Sequence, residues 1–332
     1  MKVAITGGTG FVGRNIGRLL GQKGHDVTLI ARGRDCSDPG IRNVPGIRFV
    51  AVDLAKLPEL GRVLNGSDVV IHSAGINREL GLQTYERVHV ESTRHLVESA
   101  RQAGVRKLIL ISFLRARPNC GSGYHESKWA AEEIVRRSRL DYTILKCGVI
   151  YGRGDHMLDH LSHAFYTFPF FAFVGFRDQP IRPNAVEDVA RIAAACAVDG
   201  VLPKRTVAVV GPEVLTLRQA VVRVAKVTGR MPLMFPLPVW FHYVLGWGVE
   251  RVMRVPLVSR AQVRMLCEGL AEPAPPCELL PKELAPQIPF NEGQIRRGLP
   301  DPGPFTWRDL RCCLRRTSRK SNHSRHAFFE MP

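Results

Sequence analysis

Along the first two thirds of the chain, short apolar runs alternate with stretches in which apolar side chains recur at helical spacing. The runs predict strands buried on both faces, because apolar and β-branched residues at consecutive positions fit a covered parallel sheet. These predicted strands are residues 3–6, 26–30, 47–52, 69–72, 107–111, 142–146 and 206–210. Between them, the recurrence of Ile16, Leu19 and Leu20 predicts one helix, and residues 85–103 predict another. The alternation predicts an α/β fold built on a doubly wound parallel sheet with helices on both faces.

The same pattern divides the chain into three parts. Residues 1–150 are predicted to form a Rossmann core, which the late strand near residues 206–210 completes. Residues 151–310 are predicted to form a smaller C-terminal substrate lobe that ends in an extended, proline-rich wrapping arm. Residues 311–332 are polar and basic and have no apolar period, so we expect a disordered tail.

Two apolar segments of the substrate lobe allow more than one interpretation. Residues 165–173 are rich in phenylalanine without a helical or alternating period, which suits plain core, the lining of an apolar pocket, or contact with a membrane. Residues 239–253 predict a helix, and we expect it to be a packed lid rather than a helix at a membrane interface. Its broad apolar face is formed by Trp240, Phe241, Val244, Trp247 and Val252.

A glycine-rich turn separates the first predicted strand from the first helix. Gly7 permits the tight turn, Gly10 lets a pyrophosphate approach the backbone, and Gly13 lets the helix pack closely on the strand. The unpaired N–H groups at the start of the helix are then available to bind phosphate. This turn predicts dinucleotide binding. The residues predicted to contact the cofactor here are Gly7, Thr9, Gly10, Phe11, Val12 and Gly13.

The end of the second predicted strand indicates which dinucleotide is preferred. Sites that prefer NAD place an acidic residue there to bind the adenosine ribose hydroxyls, whereas this chain continues with Ala31 and Arg32. The Arg32 guanidinium can bind a 2′-phosphate, with Arg34 in support. Alternatively, Arg32 is an ordinary surface arginine at a strand end, without a role in cofactor binding. The sequence favours NADP(H) over NAD(H).

Further cofactor contacts are predicted at the carboxyl ends of the other strands, where α/β sheets bind ligands. The Asp53 carboxylate is suited to accept a hydrogen bond from the adenine amino group, and small residues after the fourth strand let the cofactor lie against the backbone. The segment after the sixth strand is expected to pass the nicotinamide ring. The residues predicted at these positions are Asp53, Leu54, Ser73, Ala74, Gly75, Gly148 and Val149.

Tyr124 and Lys128 lie four residues apart at the start of a predicted helix, so their side chains share one helical face. In that arrangement the ammonium is expected to lower the pKa of the phenol and to bind the ribose hydroxyls of a nicotinamide nucleotide. Ser112, at the end of the fifth strand, is expected to bind the substrate oxygen. We therefore predict Tyr124, Lys128 and Ser112 as catalytic residues, although the same spacing is also common on solvated helix faces.

These motifs together resemble the short-chain dehydrogenase/reductase superfamily, in its extended and atypical members of the NAD-dependent epimerase/dehydratase type. The missing acid at the second strand, the short interval between Ser112 and Tyr124 and the proline-rich end look most like one atypical branch. That branch contains the nucleotide-binding accessory subunit of respiratory complex I and its bacterial relatives. The resemblance is carried by residues 6–13, 53–54, 72–75, 124–128, 148–152, 183–190 and 209–216.

The resemblance implies one of two functions. The first is an NAD(P)(H)-dependent oxidoreductase in which Tyr124 exchanges a proton with an unidentified substrate, for which an apolar molecule is one option. The second is a non-catalytic scaffold or assembly subunit that binds NADP(H) without turnover. The retained Tyr124 and Lys128 favour the first function. His89 and Ser92 stand where many extended members have Asn and Gly, which weakens a nucleotide-sugar epimerase assignment.

Cysteine and histidine usage narrows the chemistry. The eight cysteines are scattered without a Cys-x-x-Cys pair, which argues against a zinc or disulfide framework and favours a cytoplasmic location. His156, His160 and His163 recur on one predicted helix face. We interpret them as a polar face near a pocket rim, and we predict no metal.

The formal net charge of +17 raises the question of whether the protein binds an anionic partner, such as nucleic acid or a membrane. Between Arg311 and His326 there are six lysine or arginine residues and no acid, and the rest of the excess is spread along the chain. We interpret this as a solvated basic surface and expect no nucleic-acid partner, because no nucleic-acid motif accompanies the charge. Peripheral contact with an anionic membrane or a membrane complex, at the inner face of a membrane, is the alternative. The sequence leaves the substrate and the oligomeric state open.

Overall fold

The computed structural model describes residues 1–33, 39–55, 57–253, 258–306 and 309. Its strands are β1 (Lys2–Thr6), β2 (Asp26–Ala31), β3 (Ile47–Ala51), β4 (Val69–His72), β5 (Lys107–Phe113), β6 (Asp141–Cys147), β7 (Ile150–Tyr151), β8 (Phe170–Val174), β9 (Pro180–Ile181), β10 (Asn184–Ala185), β11 (Arg205–Val209), β12 (Leu215–Thr216), β13 (Leu233–Leu237) and β14 (Glu278–Leu279). Its α-helices are α1 (Phe11–Gln22), α2 (Leu57–Leu64), α3 (Ser92–Gln102), α4 (Gly123–Arg136), α5 (His156–Thr167), α6 (Val186–Val198), α7 (Leu217–Thr228), α8 (Val239–Val252), α9 (Arg260–Glu268) and α10 (Glu292–Gly298). A π-helix, Glu86–Glu91, runs directly into α3, and short 3-10 helices cover Pro39–Asn43 and Lys282–Leu284.

Eight of the described strands form one parallel sheet in the order β14-β11-β6-β5-β4-β1-β2-β3. The chain winds outward in one direction from β1 through β3 and in the other from β4 through β6, so the direction reverses between β1 and β4. At such a point the connections leave on opposite sides and open a crevice at the carboxyl ends of the strands. β11 pairs with β6 in this sheet, in parallel. The doubly wound parallel sheet predicted from the sequence is confirmed.

The central strands are apolar throughout because alternate residues face two different cores. In β1, Val3 and Ile5 pack with Ile16 of α1, on the face that α6 also covers. Ala4 faces the other way and packs with Leu96 of α3. Each strand is thereby covered on both sides, which explains why its sequence reads as a continuous apolar run.

A separate hydrophobic cluster joins α5, α7 and α10 to the end of β5 and to Tyr124 of α4. The phenylalanine-rich segment belongs to it only in part. Phe165 and Phe173 are buried in this cluster, whereas Phe168 and Phe170 are exposed. The segment is therefore shared between the core of the smaller lobe and its surface, and Phe170–Val174 forms a parallel pair with β13.

The prediction that α8 buries its aromatic face is wrong. Trp240 is 66% exposed and Trp247 is 50% exposed. The helix packs through its other side, where His242 and Gly246 are buried and His242 Nε2 lies 3.3 Å from the Ala172 carbonyl oxygen of β8. The apolar residues that point outward are Trp240, Phe241, Val244, Leu245, Trp247 and Val252.

The proline-rich arm is fastened to the Rossmann core by Asp188. Asp188 lies in the first turn of α6, which begins at Val186, and its side chain is buried. Its carboxylate accepts hydrogen bonds from the backbone N–H groups of Gln287, at 2.9 Å, and Ile288, at 2.8 Å, and from Arg191 Nη2, at 2.9 Å. One buried carboxylate thus connects three donors, two of which belong to the arm.

We predict that Asp188→Ala lowers the free energy of unfolding by about 2–4 kcal/mol, because two backbone N–H groups of the arm and the Arg191 guanidinium lose their buried acceptor at once. Urea denaturation monitored by circular dichroism measures the change. Glu187→Ala is the matched control, since Glu187 lies exposed on the same turn of α6 and should leave stability nearly unchanged. An Asp188→Ala protein as stable as the Glu187→Ala protein would contradict the role assigned to the carboxylate.

Two of the sequence expectations fall outside the described residues, namely the disordered tail and the support given by Arg34. Within the described ranges, no group of three His, Cys, Asp or Glu side chains is placed to hold a metal ion. In the same part of the chain, no helix has the length and apolar character needed to cross a bilayer. The imidazoles of His156 and His160 lie 5.6 Å apart on α5.

Candidate functional site

The glycine turn lies at the carboxyl end of β1 and leads directly into α1. Gly7 has a φ of +67°, and a β-carbon added to it would lie 2.7 Å from the Ala74 backbone, so only glycine fits this position. A β-carbon on Gly13 would lie 2.4 Å from the Gly7 carbonyl oxygen. The close packing expected of Gly13 is therefore present, and it brings the start of α1 against the turn and the end of β4.

Gly10 is the N-cap residue of α1 and supplies no side chain to its first N–H groups. Thr9 precedes this cap, and Phe11 and Val12 form the first turn of the helix. A helix start of this kind attracts phosphate, because its N–H groups lack intrahelical partners and the helix dipole is positive there. The predicted pyrophosphate contacts thus lie together at one helix N-terminus.

The end of β4 borders the turn. The Ser73 hydroxyl donates to the Thr6 carbonyl oxygen at 2.8 Å, which ties β4 to β1. Ala74 and Gly75 follow, and they leave the backbone accessible beside the turn. Of these three residues, Ser73 therefore has a structural bond, whereas Ala74 and Gly75 form the open floor of the crevice.

The end of the crevice that is predicted to take the adenosine is lined by charged groups. Arg32 directly follows β2 and is exposed, and Leu54 and Asp53 follow β3. Asp53 Oδ1 accepts from the Ala55 N–H at 3.1 Å, and Asp53 Oδ2 lies 3.4 Å from Arg87 Nη2. Arg87, on the π-helix, is a residue that sequence reasoning missed.

Tyr124 and Lys128 lie on the first turns of α4, with both side chains buried. A β-carbon added to Gly75 would lie 3.1 Å from Lys128 Nζ and 3.4 Å from His89 Nε2, so the ammonium reaches the floor of the crevice. Among the described residues, Lys128 Nζ makes no hydrogen bond or ion pair. The Tyr124 ring packs edge-on against Phe113 at 5.2 Å and against His89 and Tyr85 at 5.7 Å.

Burial acts on the two groups in opposite directions. It lowers the pKa of Lys128 to about 8, while the nearby Glu132 carboxylate works against this change. It raises the pKa of Tyr124 above its ordinary value, because the phenolate would lie among aromatic rings away from water. Lys128 was expected to lower the pKa of the phenol, whereas in this structure burial and the neighbouring Tyr85 and Cys147 raise it.

Ser112 is already engaged in a buried polar network. Its hydroxyl donates to Glu132 Oε1 at 2.5 Å. The other carboxylate oxygen of Glu132 accepts from Arg136 Nη2 at 2.8 Å and lies 3.4 Å from Lys146 Nζ. A role for Ser112 toward substrate stays a prediction, and it requires the hydroxyl to exchange Glu132 for a substrate oxygen.

Two buried histidines beside Lys128 were not assigned any role from the sequence. His72 lies between the hydroxyls of Thr6, at 2.6 Å, and Thr93, at 3.0 Å. Because Thr93 itself donates to the His89 carbonyl oxygen, His72 Nε2 donates to Thr93 and Nδ1 accepts from Thr6. Desolvation and the charge of Lys128 lower the pKa of His72 to about 3, so this imidazole is neutral.

His89 connects the crevice to the helix that carries the tyrosine. Its Nε2 accepts from the Ile76 N–H at 3.1 Å, so Nδ1 donates to the Ser127 hydroxyl at 2.9 Å. Ser127 in turn donates to the Tyr124 carbonyl oxygen at 3.0 Å. Desolvation and the charge of Lys128 lower the pKa of His89 to about 2. The only signal of His89 in the sequence is that it stands where many extended members of the superfamily have Asn.

Gly148 and Val149 follow β6 at the far side of the crevice. The Gly148 N–H donates to the Val209 carbonyl oxygen, and the Val149 carbonyl oxygen accepts from the Asn184 N–H. These bonds fix the path of the backbone near Lys128. Burial raises the pKa of the neighbouring Cys147 thiol to about 12, so a thiolate nucleophile is not available there at neutral pH.

The residues present fit a nicotinamide dinucleotide. The helix start at Gly10 suits a pyrophosphate, and the unpartnered Lys128 ammonium suits hydroxyl groups of a ribose. A buried cation without a partner is costly, and a ligand that supplies acceptors removes that cost.

Comparisons with known proteins agree with this geometry. A family model described as NAD(P)H-binding matches residues 7–159, which include the glycine turn, the strand ends and the Tyr124–Lys128 pair. Among solved structures, MoeE5 in complex with UDP-glucose and NAD has a TM-score of 0.67 at 17% identity, over 90% of this chain and 97% of that one. The UDP-glucose 4-epimerase of Thermus thermophilus in complex with NAD has a TM-score of 0.65 at 21% identity, over the same shares.

Two curated relatives are similar in sequence. A ceramide reductase of Caulobacter vibrioides is 39% identical over 153 residues, or 46% of this chain and 47% of that protein. Subunit 9 of the NADH dehydrogenase [ubiquinone] 1 alpha subcomplex of Mus musculus is 27% identical over 248 residues, or 73% of this chain and 65% of that protein. These comparisons support the resemblance of the chain to the short-chain dehydrogenase/reductase superfamily.

The resemblance noted in the sequence and the NAD(P)-binding Rossmann fold expected from it are thus confirmed. The solved structures are below 25% identical to this chain and therefore bear on its fold alone. The matches span less than half of the first curated relatives' length. Superfamily members differ widely in chemistry, so the reaction has to be argued from the site of this chain.

Proposed function

We propose that the protein is an NADP(H)-dependent oxidoreductase that interconverts a carbonyl group and an alcohol. The observation that carries this proposal is the Lys128 ammonium, which reaches the floor of the crevice from a side chain only 9% exposed and makes no hydrogen bond or ion pair within the described residues. A scaffold has no need to keep such a charge one helical turn from a buried phenol, because both are costly to bury. A cofactor ribose and a substrate oxygen supply the missing partners.

The protein groups have separate tasks in the reduction direction. The bound nicotinamide nucleotide supplies the hydride to the carbonyl carbon. The Tyr124 phenol donates its proton to the carbonyl oxygen, which becomes the alcohol hydroxyl, and the phenolate then regains a proton from solvent. Burial keeps Tyr124 protonated at neutral pH, as a proton donor must be. The Lys128 ammonium orients the cofactor ribose and stabilises the phenolate while it exists.

The proposed substrate is a carbonyl compound with a long apolar chain. Its chemical class is suggested by the relative named ceramide reductase, whose matched segment is 39% identical to this chain. The surroundings of Tyr124 are consistent with an apolar substrate, because Phe113 and Tyr85 pack around the phenol. A nucleotide sugar would instead require polar partners for its many hydroxyls.

The test is NADPH oxidation by the purified protein with three carbonyl substrates, namely a 3-ketosphingoid or ketoceramide, a short-chain ketone and a UDP-4-keto sugar. We expect turnover with the first substrate and little with the others, because the apolar chain contributes to transition-state binding. Turnover with the keto sugar alone would refute the proposed substrate class. No turnover with any of the three would favour the scaffold function.

Preference for NADP(H) is part of the proposal and rests on Arg32. Arg32→Ala should remove most of the preference for NADPH over NADH, a loss of about 10- to 100-fold in the affinity ratio, because a charge-assisted bond to the 2′-phosphate disappears. Isothermal titration with both nucleotides measures it. Arg205→Ala is the control, since Arg205 is exposed at the amino end of β11, which four strands of the sheet separate from β2. Equal affinities of the unaltered protein for NADPH and NADH would contradict the assignment.

A second candidate is a nucleotide-bound scaffold or assembly subunit. It is supported by the engagement of Ser112 with Glu132, which leaves the substrate side of the site without a free hydroxyl at that position. The similarity to a subunit of the mitochondrial NADH dehydrogenase complex points the same way. In this case the nucleotide stabilises the fold by binding to the folded state only.

A further inference from the structure

The outward side of α8 forms an apolar surface that the rest of the described chain does not cover. We call it the α8 face, and it consists of Trp240, Phe241, Val244, Leu245, Trp247 and Val252. Phe176 is 69% exposed and extends it, because the neighbouring Gly175 lies against Val239 at the start of the helix. Large exposed aromatic side chains grouped on one helix indicate a binding surface rather than ordinary surface composition.

The underside of α8 is fixed to the protein, so the α8 face is held outward. His242 lies within 3.3 Å of the Ala172 carbonyl oxygen of β8. A β-carbon on Gly246 would lie 3.4 Å from the Arg260 nitrogen, so α9 packs closely on that side. The helix already has a packed side within the fold, and its aromatic side is available for another partner.

The charge at the α8 face is positive. Arg251 is exposed, and its guanidinium lies 3.8 Å from the centre of the Trp247 ring. Glu250 is the one acidic residue in the sequence of α8, and it is only 17% exposed because Arg260 binds its carboxylate. The α8 face itself therefore combines tryptophan and aliphatic side chains with a cation, and the exposed acid beside Arg251, Glu79, shares its surroundings with the further cation Arg260.

We propose that the α8 face docks the protein onto an anionic lipid bilayer, with α8 lying in the plane of the headgroups. Tryptophan side chains are suited to this depth, because the ring is apolar and its N–H is polar. An arginine at the rim can bind lipid phosphate. At 14 residues the helix is about 21 Å long, too short to span a bilayer but sufficient to lie in its interface.

Charge complementarity favours a lipid surface over a second copy of this chain. With a net charge of +17, two copies repel each other, and the α8 face offers no acid to pair with the arginine of a partner. An anionic bilayer attracts the same charge over a Debye length and then receives the apolar side chains. The six basic residues between Arg311 and His326 add to that attraction.

The experiment is flotation of the full-length protein with vesicles of phosphatidylcholine alone or with about a third phosphatidylglycerol. We expect binding to the anionic vesicles, and a blue shift of the emission of Trp240 and Trp247. The double variant Trp240→Ser/Trp247→Ser should bind at least about 10-fold more weakly, because it loses the side chains that enter the interface. Unchanged circular dichroism and NADPH affinity verify that the variant is folded. Leu279→Ser is the matched control, since Leu279 is 73% exposed on β14.

Three results would overturn the proposal. If the double variant floats as well as the unaltered protein, other basic segments bind the lipid and α8 does not. If sedimentation velocity shows a dimer that the double variant loses, and vesicles are not bound, the α8 face is an interface between two copies. If neither vesicles nor a second copy bind, the surface has no such role. Binding is measured without substrate, so its failure is distinct from failure of the proposed reaction.

Discussion

Tyr124→Phe is expected to lower turnover by about 10²- to 10⁴-fold while leaving the affinity for NADPH nearly unchanged. The size of the loss is that of a general acid removed from the transition state. The affinity is retained because the substitution removes one oxygen atom and keeps the ring that packs on Phe113. Steady-state kinetics with the ketone substrate and titration with NADPH measure the two effects separately.

Tyr85→Phe is the matched control for this experiment. Tyr85 packs in the same aromatic cluster, but its hydroxyl donates to the Asn77 carbonyl oxygen at 3.0 Å rather than facing the crevice. Its loss should change turnover only slightly. If both variants lose turnover equally, packing of the cluster rather than proton transfer is responsible. Full turnover by Tyr124→Phe would remove the tyrosine from the mechanism.

The same variants distinguish the two candidate functions in a cell. For the enzyme, Tyr124→Phe should fail to complement a deletion strain. For the scaffold, Tyr124→Phe should complement fully, whereas Gly10→Val should fail, because a side chain at the helix start obstructs the pyrophosphate. If Tyr124→Phe complements the deletion strain and Gly10→Val does not, the protein is a scaffold and not an enzyme.

Lys128→Met is expected to stabilise the cofactor-free protein by about 3 kcal/mol at pH 7 and to weaken NADPH binding by about 10- to 100-fold. The gain in stability follows from the pKa of Lys128, which burial lowers from 10.5 to about 8. Each pKa unit corresponds to about 1.4 kcal/mol, so keeping this lysine charged costs the folded state about 3 kcal/mol. The weaker binding follows from the loss of a charged donor to the ribose. A buried charge that costs stability points to a use in binding.

The stabilisation by Lys128→Met should depend on pH in a defined direction. Below about pH 8 the lysine is charged in both the folded and the unfolded chain, so the full cost is present. Between pH 8 and 10.5 the folded protein holds the neutral amine while the unfolded chain stays charged, so the cost falls as pH rises. Urea denaturation at pH 7 and pH 10 should therefore show the gain shrinking.

Lys107→Met is the control, and we expect it to change the stability of the protein in the opposite direction. Lys107 is also buried, but its ammonium donates to the carbonyl oxygens of Val201 at 2.8 Å and Gly200 at 3.3 Å and lies 3.5 Å from Asp141 Oδ2. Its removal should destabilise the protein by about 1–3 kcal/mol, because buried acceptors lose their donor. If Lys128→Met is destabilising to the same extent, Lys128 has structural partners and the argument from its unpaired charge fails.

The seven strands and the glycine turn could be predicted because local sequence is sufficient for them. An apolar run such as that of β1 is compatible only with burial on both faces, and Gly7 and Gly13 occupy positions where any side chain would collide with neighbouring backbone. The spacing of Tyr124 and Lys128 fixes their common face for the same reason, since a helix has one period. The sequence by itself therefore determined the parallel sheet, the glycine turn between β1 and α1, and the common helical face of Tyr124 and Lys128.

What the sequence could not determine is which partner each face and each polar group meets. The periodicity of α8 defines two sides, but contacts of His242 and Gly246 with β8 and α9 decide that the aromatic side faces outward. Ser112 ends up on Glu132 because α4 carries that carboxylate past β5. The pKa of Lys128 is lowered because surrounding elements exclude water from it. Burial and long-range pairing depend on the whole packed chain, and so the tertiary structure alone decided them.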